Sequence, residues 1–204
     1  MPSPVGHGLA GLAIALAGDR PAAAGSFRQA ITRPVTLVCV ALATLPDADL
    51  LIPGFHRRAT HSIAATIAVT IVAIVVTGWV TERRRQALGF GLQEKPWLRR
   101  IDWRIVFLCA AAHASHIVTD WLGADRSAPA GIQALWPKSD RLFMSGWDLF
   151  PQIERRQIFS VNSMLINLNA FVWELVLTVP FVALAWRARR AGRAGGAGKA
   201  GGGN

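Results

Sequence analysis

Residues 112–120 (AHASHIVTD) set His113, His116 and Asp120 into an otherwise apolar run. On a helix, separations of three, four and seven residues bring all three to one face. Residues 105–119 carry no formal charge beyond any proton those histidines hold. Two imidazoles and a carboxylate facing one way in an apolar segment need partners, because burying polar groups unpaired is costly. A divalent metal ion would satisfy such a set. Histidines hydrogen-bonded to neighbouring helices would satisfy it as well.

Residues of the same chemistry recur along the chain. His7 stands in Pro4-Val-Gly-His-Gly, where flanking glycines allow close backbone approach or a sharp helix entry. Asp47 and Asp49 follow the apolar stretch 35–45 directly, beside Pro46. Solubility does not account for two acids there. An extended backbone would point both in similar directions; a helix-ending turn would leave both solvated. Residues 56–62 (HRRATHS) add His56 and His61. Thr60 or Ser62 can cap a helix beginning near Ile63, which sets His61 at the helix mouth. Arg57 and Arg58 either anchor the chain at headgroup level or hold a substrate phosphate through paired hydrogen bonds.

The elements that must position these groups are apolar helices. Hydrophobic residues make up 52% of the 204-residue chain and charged ones 17%, which is low for a soluble protein. Four stretches are apolar enough to enter a bilayer: 35–46 (continuing to 53 through the two aspartates), 63–80, 105–122 and 164–186. Stretch 63–80 has no charge over about the minimum length of a spanning helix. Stretch 9–17 is too short to cross alone and reads as a half-helix lying against the others. No basic residue precedes it, so it does not read as a cleavable secretion signal. The fold class expected is an all-α polytopic bundle of about four spanning helices plus the N-terminal half-helix. A membrane-embedded domain covers 1–187, followed by a disordered, basic Gly/Ala/Arg tail at 188–204.

The net charge of +10 gathers in Arg83, Arg84, Arg85, Lys95, Arg99, Arg100 and Arg104, and in the C-terminal tail. These clusters abut the ends of apolar stretches, where the positive-inside rule puts them, rather than marking a nucleic-acid site. With 81–104 inside, stretch 63–80 starts outside and 105–122 runs outward. His7, Asp47, His61, His116 and Asp120 then all fall on the outer side. Cys39 and Cys109 lie within apolar stretches and read as packing residues. Segment 122–162 has nearly balanced charge and carries Trp136, Phe143, Trp147 and Phe150, suited to an interfacial belt or a lid. Asp140 reads as a solvated turn residue or an extra acid over the site. Glu174, with Asn167 on the same stripe, is either a functional group at membrane depth or an interhelical hydrogen-bonding residue.

Taken together, His7, L-P-D-A-D at 45–49, H-R-R-A-T-H-S at 56–62 and S-H-I-V-T-D at 115–120 resemble the signature of the bacterial inner-membrane metal-dependent hydrolase family. That family is grouped with bacterial zinc phospholipase C and the fungal zinc nucleases. The resemblance implies Asp47, His61, His116 and Asp120 as primary metal ligands. His7 is similar to the early histidine that serves a further metal in those enzymes. Two departures stand out. Arg58 occupies a position usually held by glycine, and no histidine follows His116, which points to one or two ions rather than a trinuclear cluster. His113 and His56 are candidates to support the ligands from behind, and the preferred metal is zinc.

The expectation is a multi-pass protein of the bacterial inner membrane with its site on the periplasmic side. It would hydrolyse a phosphoester of a lipid or lipid-linked substrate with a metal-activated water. Asp49 would orient that water or accept its proton, and Arg57 would neutralise substrate charge. Its partners would be membrane lipids and that substrate, with no nucleic acid. The alternative is a non-enzymatic membrane protein that uses the His/Asp cluster as a structural metal site or as an ion or proton path.

Overall fold

The computed structural model describes residues 1–19, 25–51, 57–89, 97–126, 128–155, 157 and 159–200, with side chains through Ala191. Helix α1 spans Pro4–Gly18, α2 Phe27–Ile31, α3 Pro34–Thr44, α4 Ile63–Ala87, α5 Trp103–Leu122 and α6 Val161–Ala200. A 3-10 segment, Leu45–Leu51, extends α3 without a break, and another, Ala59–His61, leads into α4. The described residues contain isolated β-bridges but no strand. Helix α6 continues into the stretch 188–204 expected to be disordered, running as far as Ala200 because Ala and Arg favour helix.

Local chemistry sets the helix starts. Ser3 caps α1 and Pro4 supplies a preset φ at its first position. Ser26 and Gln29 form a reciprocal capping box on α2. Ser62, not Thr60, caps α4 by accepting from the Ala65 N–H at 3.1 Å. Asp102 does the same for α5 through the Ile105 N–H at 3.3 Å.

Four segments are long and apolar enough to cross a membrane: Pro34–Leu51, Ile63–Ala87, Trp103–Leu122 and Val161–Ala191. Their outward faces confirm the solvent. Along α4, Ile67, Ile71, Val72, Val75 and Val76 are all exposed, and along α6 so are Leu165, Leu168, Val172, Val176 and Leu184. Contiguous apolar surface of this kind belongs in lipid rather than water. The short helix α1, about 22 Å long by helical rise, is the hub, packed by α3, α5 and α6. Gly11 makes this closeness possible, since a Cβ there would sit 2.6 Å from the Cys39 carbonyl oxygen.

Residues 123–126 and 128–155 fold back over one end of the bundle. Backbone bonds tie them down: Ala124 N–H to Phe150 O at 2.8 Å, Ser145 N–H to Trp121 O at 2.9 Å and Ile63 N–H to Ala134 O at 2.9 Å. Asn167 brackets the Glu154 backbone, accepting its N–H at 2.7 Å and donating to its carbonyl at 2.9 Å. Asn167 therefore serves the loop and not Glu174. Trp147 is exposed and Phe150 is buried, so the aromatic set divides between surface and core. Asp140 is exposed, its carbonyl accepting from Gln133.

Candidate metal centre

The N-terminal end of α1, the 3-10 extension of α3, the start of α4 and the last turns of α5 meet under that loop. They deliver His7, Asp47, His61, His116 and Asp120, all buried. Asp120 lies at the middle. Its Oδ1 is 3.3 Å from His7 Nε2, and its Oδ2 is 3.4 Å from His61 Nε2 and 3.3 Å from His116 Nε2. Asp47 faces the same space, 3.9 Å from His7 Nε2 and 4.0 Å from His61 Nε2. The His7 and His116 rings stack with centroids 3.8 Å apart. Within each of two overlapping triads, His7–Asp47–His116 and His61–His116–Asp120, the potential ligand atoms lie within 4.8 Å of one another. These groups could hold a metal ion.

The partners on the far side of each ring decide what faces inward. His116 Nδ1 lies 2.8 Å from the Ala43 carbonyl, which can only accept, so Nδ1 carries the proton. His61 Nδ1 lies 3.2 Å from Asp49 Oδ2, again an acceptor. His7 Nδ1 is 2.9 Å from Thr119 Oγ1. The Thr119 hydroxyl also reaches the Ser115 and His116 carbonyls at 2.9 and 3.0 Å; with its proton donated there, its oxygen can receive a His7 N–H. Rings held this way from the Nδ1 side direct their three Nε2 atoms at two carboxylates. Among the described residues, His7 Nε2, His116 Nε2, Asp47 Oδ2 and both Asp120 oxygens are buried without a hydrogen-bond partner. A buried set made only of acceptors repels itself until positive charge enters, either as protons or as a cation.

The remaining expected residues lie around this set. The backbone at 47–49 is a 3-10 helix, not an extended strand. With three residues per turn, Asp47 and Asp49 diverge instead of pointing together. Asp47 meets the Nε2 side of His61 and Asp49 the Nδ1 side. Asp49 also accepts from the Thr60 hydroxyl at 2.6 Å and the Arg57 N–H at 3.2 Å. It therefore positions His61 from behind, where it is poorly set to reach a water at the centre. Arg57 has a left-handed backbone, φ 69°, and its guanidinium pairs with buried Asp125. Asp125 in turn accepts from the Gly131 N–H at 2.9 Å. His113 turns away from the cluster and bonds Thr66 Oγ1 at 2.9 Å, linking α5 to α4. His56 lies outside the described residues.

Sequence reading missed the supports: Thr119, Thr60, the Ala43 carbonyl and Ser3. It also left Glu174 open. Glu174 is fully buried and receives the Ser3 N–H at 2.6 Å and the Ser3 hydroxyl at 2.5 Å. Its carboxylate thus sits at the positive end of α1, one turn from His7. At the rim, the Met1 amine donates to the Ala124 carbonyl. Burial pushes that amine below its ordinary pKa of 8.0, against the opposing pull of Asp120 and Asp125.

Fold and centre together define a polytopic helical membrane protein with a buried His/Asp cluster at one end of its bundle. Residues 1–194 match the YdjM inner membrane protein family, and the chain belongs to that family. It is accordingly a multi-pass protein of the bacterial inner membrane. Comparison with curated proteins and with solved structures gives no match.

Proposed function

We propose that this chain is a membrane-bound, metal-dependent hydrolase that cleaves a phosphoester of a lipid or lipid-linked substrate. The observation that carries this reading is the convergence of three imidazole Nε2 atoms and two carboxylates in a buried space, each ring contacted from behind at Nδ1. Imidazole and carboxylate donors in this number suit zinc, one ion or two. Such an ion supplies Lewis acidity toward a phosphoryl oxygen and makes a nearby water more acidic. The protein's own part is orientation. Asp49, Thr119 and the Ala43 carbonyl hold the three rings, and Arg57 is held at the rim against buried Asp125, which offsets its charge.

A lipid substrate is supported by an apolar groove of about 470 Å3 between α4 and α5, lined by Ile63, Ala114, Ile117, Val118, Trp121 and Phe143. It lies on the outer half of α5, the helix that carries His116 and Asp120, and could seat an acyl chain. A periplasmic location for the centre is supported by the arginines at the opposite end of the bundle, where the positive-inside rule would put the cytoplasm. An ion or proton path is less well supported. It would need polar groups continuing toward that opposite end, whereas the core there is mainly Ala15, Leu16, Cys39, Leu108 and Ala112, and the buried Thr36 and Thr178 hydroxyls are bonded to the Ala30 and Glu174 carbonyls.

The test is phosphodiesterase activity of the zinc-loaded protein in lipid nanodiscs, on phospholipid and polyprenyl-phosphoester substrates. Turnover that is lost in His116→Ala supports the proposal. A wild type that binds zinc but cleaves none of these substrates would favour the structural-metal alternative.

A further inference from the structure

At the end of the bundle opposite the histidines, three guanidiniums meet one carboxylate. Asp19 closes α1 with its side chain 2% exposed. Arg33 Nε lies 2.5 Å from its Oδ2, Arg104 Nη2 lies 2.5 Å from its Oδ1 and Arg189 Nη2 lies 3.4 Å from its Oδ2. Arg104 also donates its Nε–H to the Gly18 carbonyl at 2.6 Å. The arginines come from three separate places: the turn before α3, the first turn of α5 and the far part of α6.

One carboxylate against Arg33 and Arg104 alone leaves an excess of positive charge among the described residues, and Arg189 adjoins them. The other described acids at this end are engaged elsewhere. Asp102 caps α5, and Glu82 pairs with Arg100 at 3.1 Å. The Arg189 side chain is only 3% exposed, so this charge is largely held out of water. Helix α3 adds to the same field. Its N-cap is Arg33, no side chain caps its first turn, and its positive dipole end lies here. Arg33 and Arg104 remain about one-third and one-quarter exposed, which leaves the cluster open on one side.

Position suggests what the surplus meets. Arg33 and Arg104 stand at the ends of the spans Pro34–Leu51 and Trp103–Leu122, and Arg189 near the end of Val161–Ala191. That is the depth of phospholipid phosphates. Guanidinium forks match phosphate oxygens in geometry as well as charge. We propose that Arg33, Arg104 and Arg189 form a binding site for a phosphate-bearing anion, separate from the His/Asp centre. It takes either the headgroup phosphate of an anionic phospholipid or inorganic phosphate.

The experiment uses the full chain in detergent at fixed ionic strength. Thermal unfolding is followed during titration with phosphatidylglycerol, phosphatidylcholine or sodium phosphate, and native mass spectrometry counts retained lipid. Phosphatidylglycerol should raise the midpoint and stay bound where phosphatidylcholine does not. Sodium phosphate producing the same shift would assign the site to the free anion, and its failure to do so would assign it to the headgroup. Arg33→Gln should weaken the apparent affinity about fivefold, and Asp19→Asn, which removes the competing carboxylate, should strengthen it. Exposed Arg84→Gln should change nothing. Equal responses of wild type to both phospholipids would overturn the proposal. So would an Arg84→Gln loss matching that of Arg33→Gln, or an unchanged or weaker response in Asp19→Asn.

Discussion

Replacing Thr119 by valine tests whether the imidazoles are preset for a metal. The two side chains have nearly the same shape, so packing around α5 is kept and one hydroxyl is lost. That hydroxyl oxygen lies 2.9 Å from His7 Nδ1. Without it, a buried N–H loses its acceptor, and the ring loses the contact that keeps Nε2 directed at Asp47 and Asp120. An unsatisfied buried donor costs about 1–3 kcal/mol. Removing a hydrogen bond behind a metal-bound histidine lowers metal affinity by about 10–100-fold. Thr66→Val is the matched control. It removes an equivalent bond, 2.9 Å to His113 Nδ1, from a histidine outside the cluster. Both variants should lose comparable thermal stability. In competition with a chromogenic chelator, Thr119→Val should bind zinc about 10–100-fold more weakly than wild type, and Thr66→Val should bind like wild type. Equal zinc affinities in the two variants would refute the reasoning, because His7 would then be no more involved than His113.

Two further substitutions probe the supports. Asp49→Ala removes the acceptor behind His61 and should lower zinc affinity by about 10–100-fold while leaving one bound ion attainable at saturating zinc; unchanged affinity would show that Asp49 does not orient His61. Glu174→Ala leaves the Ser3 N–H at the start of α1 without its acceptor and should lower stability by about 1–3 kcal/mol. Glu174→Gln, which can still accept that bond, should lose less, as read by thermal unfolding in detergent.

The helices were legible because apolar length and capping chemistry are local. Ser62 and the uncharged run after it announce α4, and the i, i+4 spacing of His116 and Asp120 announces a shared face. Spacing says nothing about what that face meets. By period alone, His113 belongs with His116, yet it turns toward Thr66 on another helix. Asp47 and Asp49 separate because the backbone tightens to 3-10 geometry, which no residue type there demands. The bond between Glu174 and Ser3 joins residues 171 positions apart, and the pairing of Arg57 with Asp125 spans 68. Such contacts follow from how α6 and the loop after α5 pack, and they leave no local pattern.

The account depends on residues from four elements sharing one ion. Zinc content of the detergent-purified protein, by plasma mass spectrometry after removal of loosely held metal, measures this directly for wild type, His116→Ala and Asp47→Asn. The expected result is about one to two ions per wild-type chain and a clear deficit in both variants, with all three proteins monodisperse. Equal metal in all three, or none in wild type after purification with zinc present, would contradict it.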